Sequence, residues 1–310
     1  MKKTIKVNYY NGTFNGKYTA EIPAFFRFMK DCNIEISENP DFVLYREGGS
    51  KSVFNLPINV VRIFYTGENI RPNFNECDYA LTHDCFYNER HFRLPESRHW
   101  IGDWALEPRN AEKLMNSKTK FCNFVYSNAN AKERIDFFNL LSKYKKVDSG
   151  GKLFNNLGYF VGDKMEFLNQ YKFTIAFENS SFPGYSTEKL IQPLMMGSIP
   201  IYWGDTQAAN DYNPDCFINV HNYKSFDDVV KEIIRIDNDD QLWRKYIEAP
   251  VFKDNRIPDY FSNEKISQFF NSIFEKKKHQ ISPIKKFIKF LLYYLKVLTK
   301  NIFMRKKISL

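Results

Sequence analysis

The chain has 310 residues, with 45 Lys and Arg against 36 Asp and Glu and a net charge of +9. Its 30 Phe and 19 Tyr exclude a disordered polypeptide, and the length allows a sizeable core or two domains. Five scattered cysteines (Cys32, Cys77, Cys85, Cys122, Cys216) with no C-x-x-C argue against a disulfide framework and predict reduced thiols in the cytoplasm.

The opening MKKTIKVNYYNG has no long apolar core behind its lysines, so it predicts a first strand over 5–9 rather than a signal peptide. Pro23 suits the first turn of a helix predicted over 22–29. Short apolar runs bounded by turn residues predict buried strands over 42–45, before Glu47-Gly48-Gly49, and over 60–65, before Gly67. A polar stretch, 107–120, precedes a strand over 121–126. The turn Ser127-Asn128-Ala129-Asn130 then leads into a helix over 131–143, with Asn130 as the expected N-cap and Glu133 closing a capping box. A strand over 173–177, a helix over 187–196, strands over 199–203 and 217–220, and a helix over 226–236 complete the rhythm. This alternation predicts a parallel, doubly wound α/β architecture. Its simplest form is two α/β halves facing across a cleft, divided as 1–116 and 117–275.

The excess positive charge belongs to the end of the chain. Residues 276–310 hold eleven Lys and Arg and no acid, leaving 34 basic and 36 acidic residues in 1–275. Ile284, Phe287, Ile288, Leu291, Leu292, Leu295 and Leu298 recur at helical spacing, with lysines mostly elsewhere. The segment is too short and too charged to span a bilayer. It predicts a basic amphipathic helix on an anionic membrane surface, hence a peripheral protein on the inner face of the membrane. Nucleic acid is not an expected partner, because the body has no basic face and no recognised binding motif.

Several polar groups stand between these apolar runs. In "FTIAFENSSFPGYSTEKLIQPLMMGSIPIYWGD", Phe173 to Asp205, a lysine follows the helix cap at Ser186 or Thr187. Positive charge is disfavoured at a helix N-terminus, so Lys189 predicts an anion held between it and the helix amides, as a diphosphate would be. Glu188 beside it could accept from ribose hydroxyls. Arg134, after the Asn128 turn, could reach the same anion with its planar fork. Glu68, in "YTGENIRPNFNECDYAL", ends a strand and could act as a general base if burial lifts its pKa toward neutrality. Asp237-Asn238-Asp239 has the D-x-D pattern of metal-dependent sugar transferases, but a solvated turn is the favoured reading. His83, His91 and His99, eight apart, have no metal-ligand spacing. No Walker A, G-x-S-x-G or G-x-G-x-x-G occurs, which removes the commonest nucleotidase, hydrolase and dinucleotide readings.

The stretch "FENSSFPGYSTEKLIQPLMMGSIPIYWGD" closely resembles the donor-binding motif of the α-1,3-fucosyltransferases of glycosyltransferase family 10. The blocks "FYTGENIRPNFNECDYAL", "VYSNANAKER" and "LGYFVGDKMEFLNQYKF" resemble the bacterial members, as does Tyr212 to His221, in the family's order over roughly residues 60–275. The resemblance implies a GT-B fold, two Rossmann-like domains with the active site between them. It implies inverting transfer of fucose from GDP-β-L-fucose to a sugar hydroxyl of a LacNAc-like or lipopolysaccharide glycan. Arg134 and Lys189 would then neutralise the diphosphate, Glu188 would hold the ribose, Asn179 and Tyr185 would line the donor pocket, and Glu68 would be the base. No metal is implied as obligatory, although Mn2+ or Mg2+ could assist GDP release. The stretch 93–116 matches the family least, and its His99, Trp100, Asp103 and Trp104 are candidate acceptor contacts. No seven-residue repeat of the bacterial kind precedes Pro283. The alternatives are a transferase of another GDP-sugar or an idle, membrane-bound glycan-binding paralogue.

Overall fold

The computed structural model describes residues 2–10, 26, 29, 31–47, 53 and 56–276. Of the helix predicted over 22–29, only Phe26 and Met29 are among them, and the predicted membrane helix lies outside the described residues.

The chain forms two compact units, each built on an all-parallel sheet, the α/β class that the sequence predicts. The first comprises Met1–Thr82, Phe86–Leu94 and Tyr260–Leu310, and the second His83–Cys85 and Pro95–Asp259. The boundary expected at 116/117 therefore moves: residues 95–116 belong to the second unit, and the chain returns to the first at Tyr260. Two sets of contacts account for this. Ser97 N donates to Ser186 O at 3.1 Å inside the second unit, and Ile266, Phe270, Ile273 and Phe274 complete the core of the first.

The first sheet runs in the order β2-β1-β3-β4-β5-β6. Its strands are β1 (Lys3–Tyr10), β2 (Cys32–Ile36), β3 (Phe42–Tyr45), β4 (Val61–Tyr65), β5 (Tyr79–Thr82) and β6 (His91–Arg93). β3 and β4 are apolar at nearly every position because both their faces are covered, as parallel strands require. Phe42, Leu44, Val61 and Ile63 pack with the helix Asn263–Lys276, while Val43, Tyr45, Phe64 and Ala80 form a separate core on the other face. Arg62, 2% exposed inside β4, is tolerated there because its guanidinium donates to the carbonyls of Val53, Val60 and Leu56.

The second sheet has the order β11-β10-β9-β7-β8, from β7 (Lys120–Phe124), β8 (Val147–Ser149), β9 (Tyr171–Phe177), β10 (Ile199–Trp203) and β11 (Ile218–Asn219). Its helices are α1 (Ala111–Ser117), α2 (Lys132–Leu141), α3 (Lys164–Leu168), α4 (Glu188–Met195), α5 (Ala208–Asp211), α6 (Phe226–Asp237) and α7 (Asp240–Glu248). The central strand β9 pairs with β7 and β10. Its extra length relative to β7 leaves a gap, which Tyr126 fills: its hydroxyl accepts from Phe177 N and donates to Ile175 O, both at 2.9 Å.

Lys118, 6% exposed, ties two helix ends together. Its ammonium donates to Asn169 O at 2.7 Å, at the end of α3, and to Met196 O, at the end of α4. Burial pulls its pKa down to about 8. Lys118→Met leaves those carbonyls without a donor and is expected to lower unfolding free energy by about 2 kcal/mol in urea titrations. An unchanged midpoint would rule out the clamp.

Candidate active site

The site starts from the carboxyl end of β9, where Glu178 has no exposed surface. Its backbone N–H continues the sheet by donating to Trp203 O at 2.8 Å. Its carboxylate turns toward α4, and Oε1 accepts from Thr187 N at 2.8 Å and Thr187 Oγ1 at 2.9 Å. Oε2 lies 3.3 Å from Lys189 Nζ. Burial raises the Glu178 pKa, and Lys189 opposes that shift. Gly204, just past β10, is required by this packing: a Cβ there would stand 2.3 Å from Glu178 Cγ.

The helix N-terminus differs from the sequence expectation in one respect. Its first amides already have acceptors within the protein. Thr187 N binds Glu178, Lys189 N binds the Thr187 N-cap hydroxyl at 3.4 Å, and Glu188 N donates to Glu96 Oε2 at 2.8 Å. These amides are therefore not free for the anion that the sequence places between them and Lys189. Lys189 Nζ also lies 3.0 Å from Glu188 Oε1. Burial works against the Lys189 charge, but Glu178 and then Glu188 outweigh it and raise its pKa well above the usual value. Glu188 is held below the usual carboxylate range, because Lys189 and Lys164 together outweigh its burial.

Arg134 stands in the first turn of α2, which begins at Lys132 with Ala131 as N-cap and no side-chain cap. Asn130 is not the cap predicted, because the helix begins one residue further on; its N–H donates to Asn128 Oδ1 at 2.9 Å in the turn before it. Nor is Arg134 a solvated helix residue. At 1% exposure its guanidinium lies 3.8 Å from the centre of the Tyr126 ring and donates to Phe177 O at 2.8 Å and Asn179 Oδ1 at 2.9 Å. Arg134 thus orients Asn179, which is itself exposed. Tyr185 is buried, with its ring centre 5.0 Å from that of His83.

The remaining predicted residues fall in distinct places. Glu68 belongs to the first unit, in the turn after β4, where its N–H donates to Thr66 Oγ1 at 2.9 Å. It is exposed, so it lacks the burial that the sequence reading attached to a general base. Trp100 and Trp104 come together, since Trp104 Nε1 donates to Trp100 O at 2.9 Å, with His99 half-buried and Asp103 exposed beside them. Asp237 is no solvated turn: its carboxylate meets Lys145 at 3.0 Å and Lys172 at 3.2 Å. Asp239 caps α7. Among the described residues, no group of three His, Cys, Asp or Glu side chains is placed to hold a metal ion, and no helix is long and apolar enough to cross a membrane.

Three participants have no assigned role in the sequence reading. Glu178 was visible only as half of an acid-amide pair. Glu96 lies in the stretch with the weakest family match, and Lys164 lies within a block of the family resemblance without being singled out in it. Lys164 is half-buried and, among the described residues, makes no hydrogen bond or ion pair. Burial lowers its pKa, with Glu188 the largest opposing charge.

Comparison with known proteins agrees with this architecture. The family pattern "Glycosyltransferase family 10 (fucosyltransferase) C-term" matches residues 115–273, and "Alpha-(1,3)-fucosyltransferase FucT N-terminal domain" matches 8–99. The alpha-(1,3)-fucosyltransferase FucT of Helicobacter pylori is 34% identical over 247 residues, covering 67% of this chain and 52% of that protein. A 4-galactosyl-N-acetylglucosaminide 3-alpha-L-fucosyltransferase of Homo sapiens is 30% identical over 151 residues, 47% of this chain and 42% of the relative. The chain thus spans about half the length of these curated relatives. A crystal structure of an alpha1,3-fucosyltransferase with GDP-fucose superposes with a TM-score of 0.74 at 30% identity, covering 89% of this chain and 91% of the other. With one family pattern over half the chain and a second over most of the remainder, this protein belongs to glycosyltransferase family 10, the fucosyltransferases.

Proposed function

We propose that the chain is an inverting fucosyltransferase that moves L-fucose from GDP-β-L-fucose to a sugar hydroxyl, α-1,3 to GlcNAc or Glc in a LacNAc-like or lipopolysaccharide glycan. The observation that carries the reading is the cation group at the β9–α4 junction, set in a fold shared with an α1,3-fucosyltransferase crystallised with GDP-fucose.

In this reading Lys189 and Lys164 face the diphosphate, Glu188 takes the ribose, and Asn179 and Tyr185 line the donor pocket. Arg134 acts from beneath, adding positive field and orienting Asn179. The exposed edge of Trp100, with Trp104, His99 and Asp103, offers an acceptor surface. The acceptor hydroxyl gives its proton to Glu68 as its oxygen bonds the fucose anomeric carbon. The bond from that carbon to the β-phosphate oxygen breaks, and its electron pair leaves with GDP. Charge grows on the β-phosphate in the transition state, so fixed ammonium groups stabilise that state more than the bound donor. A divalent ion is not required by this scheme and would serve only to speed GDP release. The basic tail would hold the enzyme on the cytoplasmic face of the membrane, near a lipid-linked acceptor.

GDP release measured with GDP-fucose, GDP-mannose and LacNAc tests the reading, which fails if fucose donor is not consumed in preference. Glu68→Gln is expected to keep GDP affinity and abolish transfer; wild-type turnover would remove Glu68 as the base. Lys164→Ala breaks no hydrogen bond, so it is expected to leave the melting temperature nearly unchanged while lowering donor kcat/KM about tenfold or more. An unaltered kcat/KM would exclude Lys164 from the donor site. Deleting 277–310 is expected to free the protein from anionic vesicles with catalysis intact, and unchanged vesicle sedimentation would discard the anchor.

A further inference from the structure

Glu96 stands between two parts of the second unit that the proposed function uses separately. One of its carboxylate oxygens accepts from Glu188 N at 2.8 Å, in the first turn of α4. The other accepts from the indole Nε1 of Trp100 at 3.2 Å. A single side chain therefore fastens the donor-side helix to the aromatic surface offered to the acceptor. The charges that act on it are Glu188 on α4, Glu178 at the end of β9 and Lys164 on α3; Lys189 on α4 pairs with both of those acids, and Arg98 and His99 share its helical turn. Two of these are carboxylates, and the two lysines are already facing them.

We propose that Glu96 is a positioning residue for donor binding, and that it takes up a proton from solvent when a nucleoside diphosphate sugar enters the site. The inference rests on the donor reading above. Its logic is one of charge. Lys189 is paired with Glu178 and Glu188, and Lys164 feels the charge of Glu188; a diphosphate adds negative charge to the same small volume and draws those ammonium groups toward itself. Glu178 and Glu188 each have the Lys189 ammonium within 3.3 Å, whereas Glu96 is met by an amide and an indole N–H, so Glu96 is the carboxylate that responds. Burial, with Glu188 beside it, already pushes Glu96 up to about 7, whereas Glu188 is held low by its lysines. Protonated Glu96 still has a carbonyl oxygen to accept from Glu188 N, so the helix stays fastened while one negative charge is removed.

The sign follows from linkage. If binding raises the proton affinity of Glu96, the protonated form binds the nucleotide better. Affinity should then fall as pH rises through about 7, by at most about tenfold per unit. Glu96→Gln mimics the protonated side chain and should be insensitive in that range. Calorimetric titration of the full chain with GDP, at pH 7 in phosphate and in Tris, reads proton uptake directly from the buffer dependence of the heat. The wild type is expected to take up roughly half a proton more than Glu96→Gln. Its Kd should weaken between pH 6.5 and 8.5 relative to the variant. Glu96→Leu, which offers Glu188 N no acceptor, should bind GDP more weakly than Glu96→Gln at every pH. Equal uptake in wild type and Glu96→Gln overturns the proposal, as does equal affinity of the Gln and Leu variants. If the Leu variant does not fold, the comparison of wild type with Glu96→Gln decides alone. No GDP binding by the wild type would overturn the donor reading and this inference with it.

Discussion

A carboxylate sealed at the end of a central strand dictates much of the second unit. An unpaired buried charge costs several kcal/mol, so Glu178 needs partners from every side. Thr187 supplies an amide and a hydroxyl, Lys189 an ammonium group, and Gly204 the room for the side chain to pass. Those demands fix where α4 begins, since the N-cap and the carboxylate's partner are the same threonine. They also fix the direction of Lys189, which is unfavourable at a helix N-terminus unless acids surround it. The loop between strand and helix is shaped by this pairing as much as by any ligand.

Beneath the loop, Arg134 plays a comparable part without reaching the surface. It closes the open end of β9 by donating to Phe177 O, rests on the Tyr126 ring, and leaves one donor for Asn179. The cations of this family site therefore divide into two kinds. Arg134 is committed to the scaffold, whereas Lys189 and Lys164 are held mainly by charge and can change partners.

The elements with the plainest sequence signals were read almost to the residue. The strands at 42–45 and 199–203 are short apolar runs ended by turn residues, and nothing in their surroundings competes with that pattern. The start of α2 lies one residue beyond the predicted cap, at Ala131, whose methyl group can accept no hydrogen bond and so leaves no capping signal in the sequence. The domain boundary was placed in a polar stretch that looks like a linker, although Arg109 and Lys118 within it donate to carbonyls at the end of α4 and so tie it to the second unit. Among site residues, Asn179, Glu188 and Lys189 were legible because they sit in one contiguous motif. Glu96 was not, since its partner Glu188 lies 92 positions away and no local pattern links the two. Lys164 was equally silent, because its place beside Glu188 is made by the fold and leaves no local pattern in the sequence.

The return of the chain to the first unit has a consequence for its assembly on the ribosome. Lys3 Nζ donates to Phe274 O at 3.3 Å, and Phe42 meets Phe274 with ring centres 4.7 Å apart. The sheet is thus synthesised early, with its last strand ending at Arg93, but one of its apolar faces waits for a helix that begins only at Asn263. The second unit, continuous apart from His83–Cys85, is complete first and can fold while the first still lacks its lid. Contacts of such long sequence separation form slowly and leave apolar strands exposed in the meantime. The nascent first unit is therefore the natural client for a chaperone, and a chain stopped before Asn263 should aggregate through its N-terminal half while its second unit folds normally.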